Sequence, residues 1–488
     1  MSRALFGLAS SLSIASLALL AACGSTTTPA TADAGAPAEA GPTPTDGAAV
    51  TPPAQGPKPA WVKTFGGKGE DVSAGVFVDP TGNVFLGGYF EDTIDFGGAP
   101  LVSLGKEDAF LAKFDPSGNH VWSLRLGGDD IDAVGGIGTD AAGNLYIAGI
   151  FSKELTLGAF KATSKGSTDA FLARLDKDGA PVWVKTFGST GSEIARSLVV
   201  SPSGDLTIAG ILEGPVDFGG GPVANKRQDG FAARFDKDGN HVWSRVLGGP
   251  GSDALQALAA GPGGDVWLAG IYREGVDVGT GPLPYAEGDK DNAWVVRLGP
   301  DGATKWARGF SNPGDDAASN IAVDAAGNAA VTFAYQGPSF DFGAGPQKSG
   351  GSYEMGLALL DPSGKTTWGK SYGTVSPDAA FAAAFDNKGG LFVSGLFSGE
   401  LDYGSGLLVA SGFLNNSLLK FDMTGKALWA RDMGSTTLNN YGLFNNVTVD
   451  PVSGGAVSTG HYDGTFDYGT GTQPNRGRGD IYLVKLAP

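Results

Sequence analysis

The chain has 488 residues and carries 51 Asp and Glu against 34 Lys and Arg, a formal charge of −17. Such a surface repels nucleic acid and anionic lipid, and a single cysteine excludes a framework of intramolecular disulfides. Glycine, at 80 residues, is about twice its usual share. Beyond the first 22 residues no sustained run carries apolar groups at helical spacing, so an all-β chain is expected.

Residues 1–22 read as an export signal: one basic residue, Arg3, then an apolar stretch from Ala4 to Leu20, too short for a comfortable membrane span. The stretch closes on Leu20-Ala21-Ala22-Cys23-Gly24, which resembles the lipobox of bacterial lipoproteins. That resemblance implies cleavage before Cys23, a diacylglyceryl group on its thiol, and a membrane as the first partner. Gly24 is not the Asp that often retains lipoproteins at the inner membrane, so the expected place is the cell envelope, on the outer membrane, facing periplasm or cell surface. Loss of the signal removes only Arg3 from the charges, and 33 basic against 51 acidic residues leave −18.

Residues 23–60 carry Ala, Pro, Thr and Gly with almost no large apolar group, a composition that cannot bury enough surface to fold. They read as a tether about 33 Å in root-mean-square span.

From residue 61 to 488 the chain repeats. Trp61, Trp122, Trp183, Trp243, Trp306, Trp368 and Trp429 are separated by 61, 61, 60, 63, 62 and 61 residues. Around each rung the order is strand, tight turn, strand, as in Phe114-Asp115-Pro116-Ser117-Gly118-Asn119-His120-Val121-Trp122. Asp opens the turn because its carboxylate accepts bonds from backbone amides two residues on, and Gly supplies the positive φ. A second such turn recurs at Asp79–Asn83, Asp140–Asn144 and Asp324–Asn328, ahead of alternating apolar residues such as Leu145 to Phe151.

About four strands in sixty-odd residues suit a propeller blade. The last unit stops at Ile481-Tyr482-Leu483-Val484-Lys485-Leu486 without a Trp strand, while Trp61-Val62-Lys63-Thr64-Phe65 precedes the first full unit. The expected fold is an all-β propeller of seven four-stranded blades, closed by the N-terminal strand and monomeric. These units resemble the bacterial beta-propeller repeat of seven-bladed surface and secreted proteins, over essentially all of 61–488. The Asp-x-x-Gly-x-x-x-Trp piece is also similar to quinoprotein-type repeats, which implies that each Trp packs between neighbouring blades.

Ten residues after each Trp stands an acid, Asp71, Asp132, Glu193, Asp253, Asp316 and Asp378, with Asn440 at plus eleven in the last unit. These carboxylates are expected to accept N–H bonds from their own loops. A calcium reading of Asp71, Asp132, Asp253, Asp316 and Asp378 draws on Gly248 to Gln256, which fits the nonapeptide of RTX calcium proteins. A period near sixty-one, however, is not the tandem spacing that RTX sites use. A third column, Asp95, Asp217, Asp277, Asp341, Asp402 and Asp467, with Thr156 in the second unit, is expected at turns or strand ends.

No His pair has metal spacing, and the sole cysteine is the expected lipid anchor, so no cofactor is expected. The places that break the repeat are Thr332-Phe333-Ala334-Tyr335, His461, Lys226-Arg227 and Arg476-Gly477-Arg478. The functional expectation is a lipid-anchored envelope module that binds or scaffolds a protein or glycan without catalysis. The alternatives are a hydrolase or lyase acting on polysaccharide or peptide at the central channel, and a factor for outer-membrane protein assembly.

Overall fold

Alternating apolar residues make a strand whose two faces are both dry when other sheets flank it, and each unit here is built that way. The computed structural model describes residues 56–285, 290–412, 414–436, 445–468 and 470–487. Its seven four-stranded sheets are antiparallel throughout and follow the repeat. Blade 1 consists of Asp71–Val78, Val84–Phe90, Asp108–Phe114 and His120–Leu126, and blades 2 to 6 repeat this order.

Blade 7 takes its first three strands, Asn446–Val449, Ala456–Tyr462 and Asp480–Leu486, from the end of the chain and its fourth, Pro59–Phe65, from near the beginning. Val62 lies opposite Val484 and Thr64 opposite Tyr482 in this closing pair. The expected architecture of seven four-stranded blades with N-terminal closure is therefore what the chain adopts.

The second strand of blade 2, Leu145–Phe151, is buried along its whole length. Leu145, Ile147 and Phe151 enter the core between blades 1 and 2, whereas Tyr146 and Ala148 enter the core between blades 2 and 3. Period two thus serves two seams at once, and each large side chain so buried contributes about 1.5–3 kcal/mol. Seven such cores, one per seam, hold the ring.

First strands contact the first strands of neighbouring blades, which sets them around the central axis. In blades 1 to 6 each carries one extra residue that the second strand does not pair, a β-bulge three residues from the strand's start in blades 1, 2, 3 and 5. The fourth strands, with the tryptophans, form the outer rim.

Two faces result. One carries the short Asp-initiated turns. In them Asp79 Oδ1 accepts bonds from Thr81 N and Asn83 N at 2.9 Å each, and Asp236 Oδ1 accepts from Asp238 N and Asn240 N. The other, the acid face, carries the loops entering each first strand and a long connection between second and third strands. That connection forms a two-stranded hairpin in all blades but the fourth, where a single bridge joins Asp277 and Pro282.

Candidate functional site

The tryptophan ladder lies in the seams. Trp61 donates through Nε1 to the Pro116 carbonyl at 3.1 Å, Trp243 to Pro300 at 2.9 Å, Trp306 to Pro362 at 3.2 Å and Trp368 to Met423 at 2.9 Å, each reaching the next blade's turn. The turn glycine sits flat on the indole: a Cβ on Gly302, at φ 78°, would stand 2.8 Å from Trp243. Gly179 and Gly239 cover Trp122 and Trp183 in the same way, and Gly56 takes this position over Trp429, so the closing blade repeats the contact.

The acids that begin the first strands are buried without exception: Asp71, Asp132, Asp253, Asp316 and Asp378 are all 0% exposed, and Glu193 is 1%. Each accepts a bond from the backbone N–H four residues earlier, Gly67 to Asp71 at 2.7 Å, Gly128 to Asp132 at 2.9 Å, Gly249 to Asp253 at 2.6 Å and Asn312 to Asp316 at 2.9 Å. Asp253 and Asp378 also accept from Arg273 N and Ser398 N, 20 residues on. Asp71, Asp132 and Asp316 leave one oxygen without a hydrogen-bond partner among the described residues. Asn440 and Cys23 lie outside the described residues.

Opposite this column stands another that the sequence reading did not single out: Asp108, Asp169, Asp229, Asn292, Glu354, Asn415 and Asp480, at or next to the start of every third strand and all buried. The two columns meet across the seams through backbone. Asp132 N donates to Glu107 O at 2.8 Å, Glu193 N to Thr168 O, Asp253 N to Gln228 O, and Asp71 N to Gly479 O across the closure. The signal was present, as an acid or amide opening Asp108-Ala-Phe-Leu-Ala, Asp169-Ala-Phe-Leu-Ala and their counterparts.

Glycine makes the approach possible. A Cβ on Gly188 would stand 1.8 Å from Asp169 Oδ2, and one on Gly373 1.9 Å from Glu354 Oε2.

Burial, first of all, drives the first-column carboxyls up, to about 8 at Asp71 and Asp132, about 7 at Asp253 and Asp378, and about 9 at Asp316. Facing carboxylates add to this, Asp480 at Asp71, Asp108 at Asp132 and Asp229 at Asp253, while the loop N–H bonds oppose it. Two seams add an arginine to the second column: Arg125 pairs with Asp108 at 2.7 Å and Arg476 with Asp480 at 2.9 Å.

For calcium, which takes six to eight oxygens, the candidates are spread over five separate seams. No group of three or more His, Cys, Asp or Glu among the described residues is placed to hold a metal ion. Gly248 to Asp253 forms a loop that enters a strand, and Leu255 and Gln256 lie within that strand.

The third column caps the hairpins. Asp217 Oδ1 accepts from Gly219 N and Gly221 N, Asp341 Oδ1 from Gly343 N and Gly345 N, and Asp402 Oδ1 from Gly404 N and Gly406 N. The next residue plugs the seam, as where Phe218 meets Phe187 at 5.2 Å and Phe231 at 4.9 Å. Thr156 is followed by the buried Leu157.

The irregular positions are absorbed locally. Phe333 and Tyr335 pack with Phe340 and Phe342 in the seam between blades 4 and 5. Arg478 pairs with Glu91 across the closure. His461, 1% exposed, faces the Asp71 carbonyl through Nδ1 at 3.1 Å.

The closed ring of seven sheets makes this chain a seven-bladed β-propeller. No protein-family model matches it. One stretch of 161 residues is 23% identical to an uncharacterized WD repeat-containing protein of Acanthamoeba polyphaga mimivirus, over 29% of this chain and 12% of that protein. Another of 169 residues is 24% identical to the regulatory protein FlaEY of Caulobacter vibrioides, over 33% of this chain and 17% of that protein. The chain thus matches less than a fifth of either relative's length. Among solved structures an ulvan lyase covers 87% of this chain and 96% of its own at 9% identity and a TM-score of 0.42. YCF48 bound to a peptide covers 90% and 98% at 10% identity and 0.41, and the Pan2 WD40 domain of Neurospora crassa 72% and 89% at 9% identity and 0.37. These are likenesses of fold.

Proposed function

We propose that this chain is a lipid-anchored propeller of the cell envelope, held in the outer membrane through Cys23, that binds or scaffolds an envelope protein or glycan without catalysing its conversion. The observation that carries the reading is the fate of the repeated acids. The first-column carboxylates are buried and bonded to their own loops, so what recurs in six of the seven blades builds the ring. What differs between blades is the loops of the acid face, and a rigid scaffold with variable loops suits recognition.

A second reading, a hydrolase or lyase at the channel, draws on the same acids, because carboxyls protonated near neutrality are what a general acid requires. Their 0% exposure keeps substrate from them.

The test is crosslinking of intact cells followed by purification through a C-terminal tag, with Cys23→Ala as control. An envelope protein or glycan attached to the anchored form and absent from the control supports the reading. No specific adduct, together with turnover of a polysaccharide or peptide by the purified protein, overturns it.

A further inference from the structure

The first strands surround the central axis, and in blades 1 to 6 the bulge residue of each is partly exposed. In blades 1, 2, 3 and 5 three buried residues precede a partly exposed bulge residue, Ala74, Gly135, Arg196 and Ser319. Gln256 and Phe381 are the partly exposed bulge residues of blades 4 and 6. Three residues from the acids, this ring lies about 10 Å below the acid face. Unlike the acid columns, it is not repetitive: one side offers Ala74 and Gly135, the other Arg196, Gln256, Ser319 and Phe381.

Arg196 is the charged member of this ring. Its Nη1 donates to Gln256 Oε1 in the neighbouring blade. Its Nε is buried and has no hydrogen-bond partner among the described residues. No carboxylate there pairs with it, in a chain with 51 of them. Burial alone perturbs the guanidinium, lowering it to about 10, so it stays charged at neutral pH.

Desolvating a cation without a counter-charge costs stability, and the guanidinium fork fits a carboxylate's two oxygens. Because Gln256 accepts through Oε1, its amide nitrogen remains as a further donor.

We propose that the channel ring centred on Arg196 is a binding site for a carboxylate-bearing small molecule, with Arg196 as the anchor and Gln256 as second donor. The site does not depend on the identity of any envelope partner. A sugar acid and an aliphatic dicarboxylate share this chemistry, and the test separates them.

Saturation-transfer NMR titrations of the full folded ring with glucuronate, glutarate and, as neutral control, glucose measure it directly. At least one acid is expected to saturate while glucose does not, and the one that binds names the source. Arg196→Met is expected to weaken that acid at least about tenfold, and Arg196→Lys to weaken it less. Arg245→Met, which removes a bond to the Gly302 carbonyl on the outer strand, leaves the affinity as it is. Thermal melts of each variant establish folding, and Gln256→Leu serves in place of an Arg196 variant that does not fold. Failure of both acids to saturate overturns the proposal, as does unchanged affinity in Arg196→Met or equal weakening in Arg245→Met.

Discussion

Replacing one glycine by alanine separates the interlock between blades from the strain of a turn. Gly302 and Gly143 occupy the same kind of Asp- or Gly-initiated turn at φ 78° and 79°, each donating its N–H to the residue three earlier. A Cβ at Gly143 meets nothing within 4 Å, whereas one at Gly302 stands 2.8 Å from the Trp243 ring, which is 8% exposed. Gly143→Ala therefore costs only the left-handed strain of an L-residue, about 1–2 kcal/mol. Gly302→Ala adds displacement of a packed indole, about 1–3 kcal/mol more.

Urea unfolding followed by tryptophan fluorescence measures the difference, read as a shift in midpoint because a chain of this size need not unfold in one step. In the double variant Gly302→Ala with Trp243→Leu the two losses are expected to sum to more than the combined effect, since the collision is gone. Equal shifts for the two alanines, or strict additivity in the double variant, would refute the seam packing.

The pH dependence has a defined sign. Asp71, Asp132, Asp253, Asp316 and Asp378 are raised in the folded ring, so they keep protons there that the unfolded chain gives up above about pH 4. Their stabilisation is complete below that value and is lost as pH rises through about 7 to 9. Thermal midpoints should fall from about pH 5 to about pH 9, and Asp253→Asn should flatten the slope; a rise over that range contradicts the assignment. Arg125→Met leaves the Asp108 carboxylate, 0% exposed, without its cation, and should lower stability by about 3–5 kcal/mol in denaturant titrations. Arg196→Met should raise the thermal midpoint, because it removes a desolvated cation without a carboxylate partner among the described residues; a clear loss of stability would mean that the ring depends on it.

What the sequence disclosed and what it hid have physical causes. Tryptophan is rare and large, so a seam contact used in each blade leaves a ladder, and an Asp-initiated turn leaves both its acceptor and its glycine in print. The missing Trp strand after Leu486 and the spare one at Trp61 disclosed the closure for the same reason.

The second acidic column stayed hidden because Asp108 and Asp169 open apolar strands, where an acid looks like an ordinary polar flank. Its role depends on a neighbour in the next blade, reached through Asp132 N and Glu193 N. Arg196 was silent as well, since a bulge changes neither composition nor spacing and only pairing with the second strand reveals the unpaired residue. His461 broke the pattern visibly, but only the structure brings it to the Asp71 carbonyl at the far end of the chain.

The ring itself is tested most directly at its closure, where Val62 lies opposite Val484. Opposed residues in an antiparallel pair have Cβ atoms about 4.5–5.5 Å apart, near the reach of a disulfide. In a Cys23→Ala background, Val62→Cys with Val484→Cys should oxidise in the folded protein and raise the unfolding free energy by about 2–4 kcal/mol, reversibly with reductant. Two thiols that remain free and titratable in the folded protein would contradict a propeller closed by its N-terminal strand.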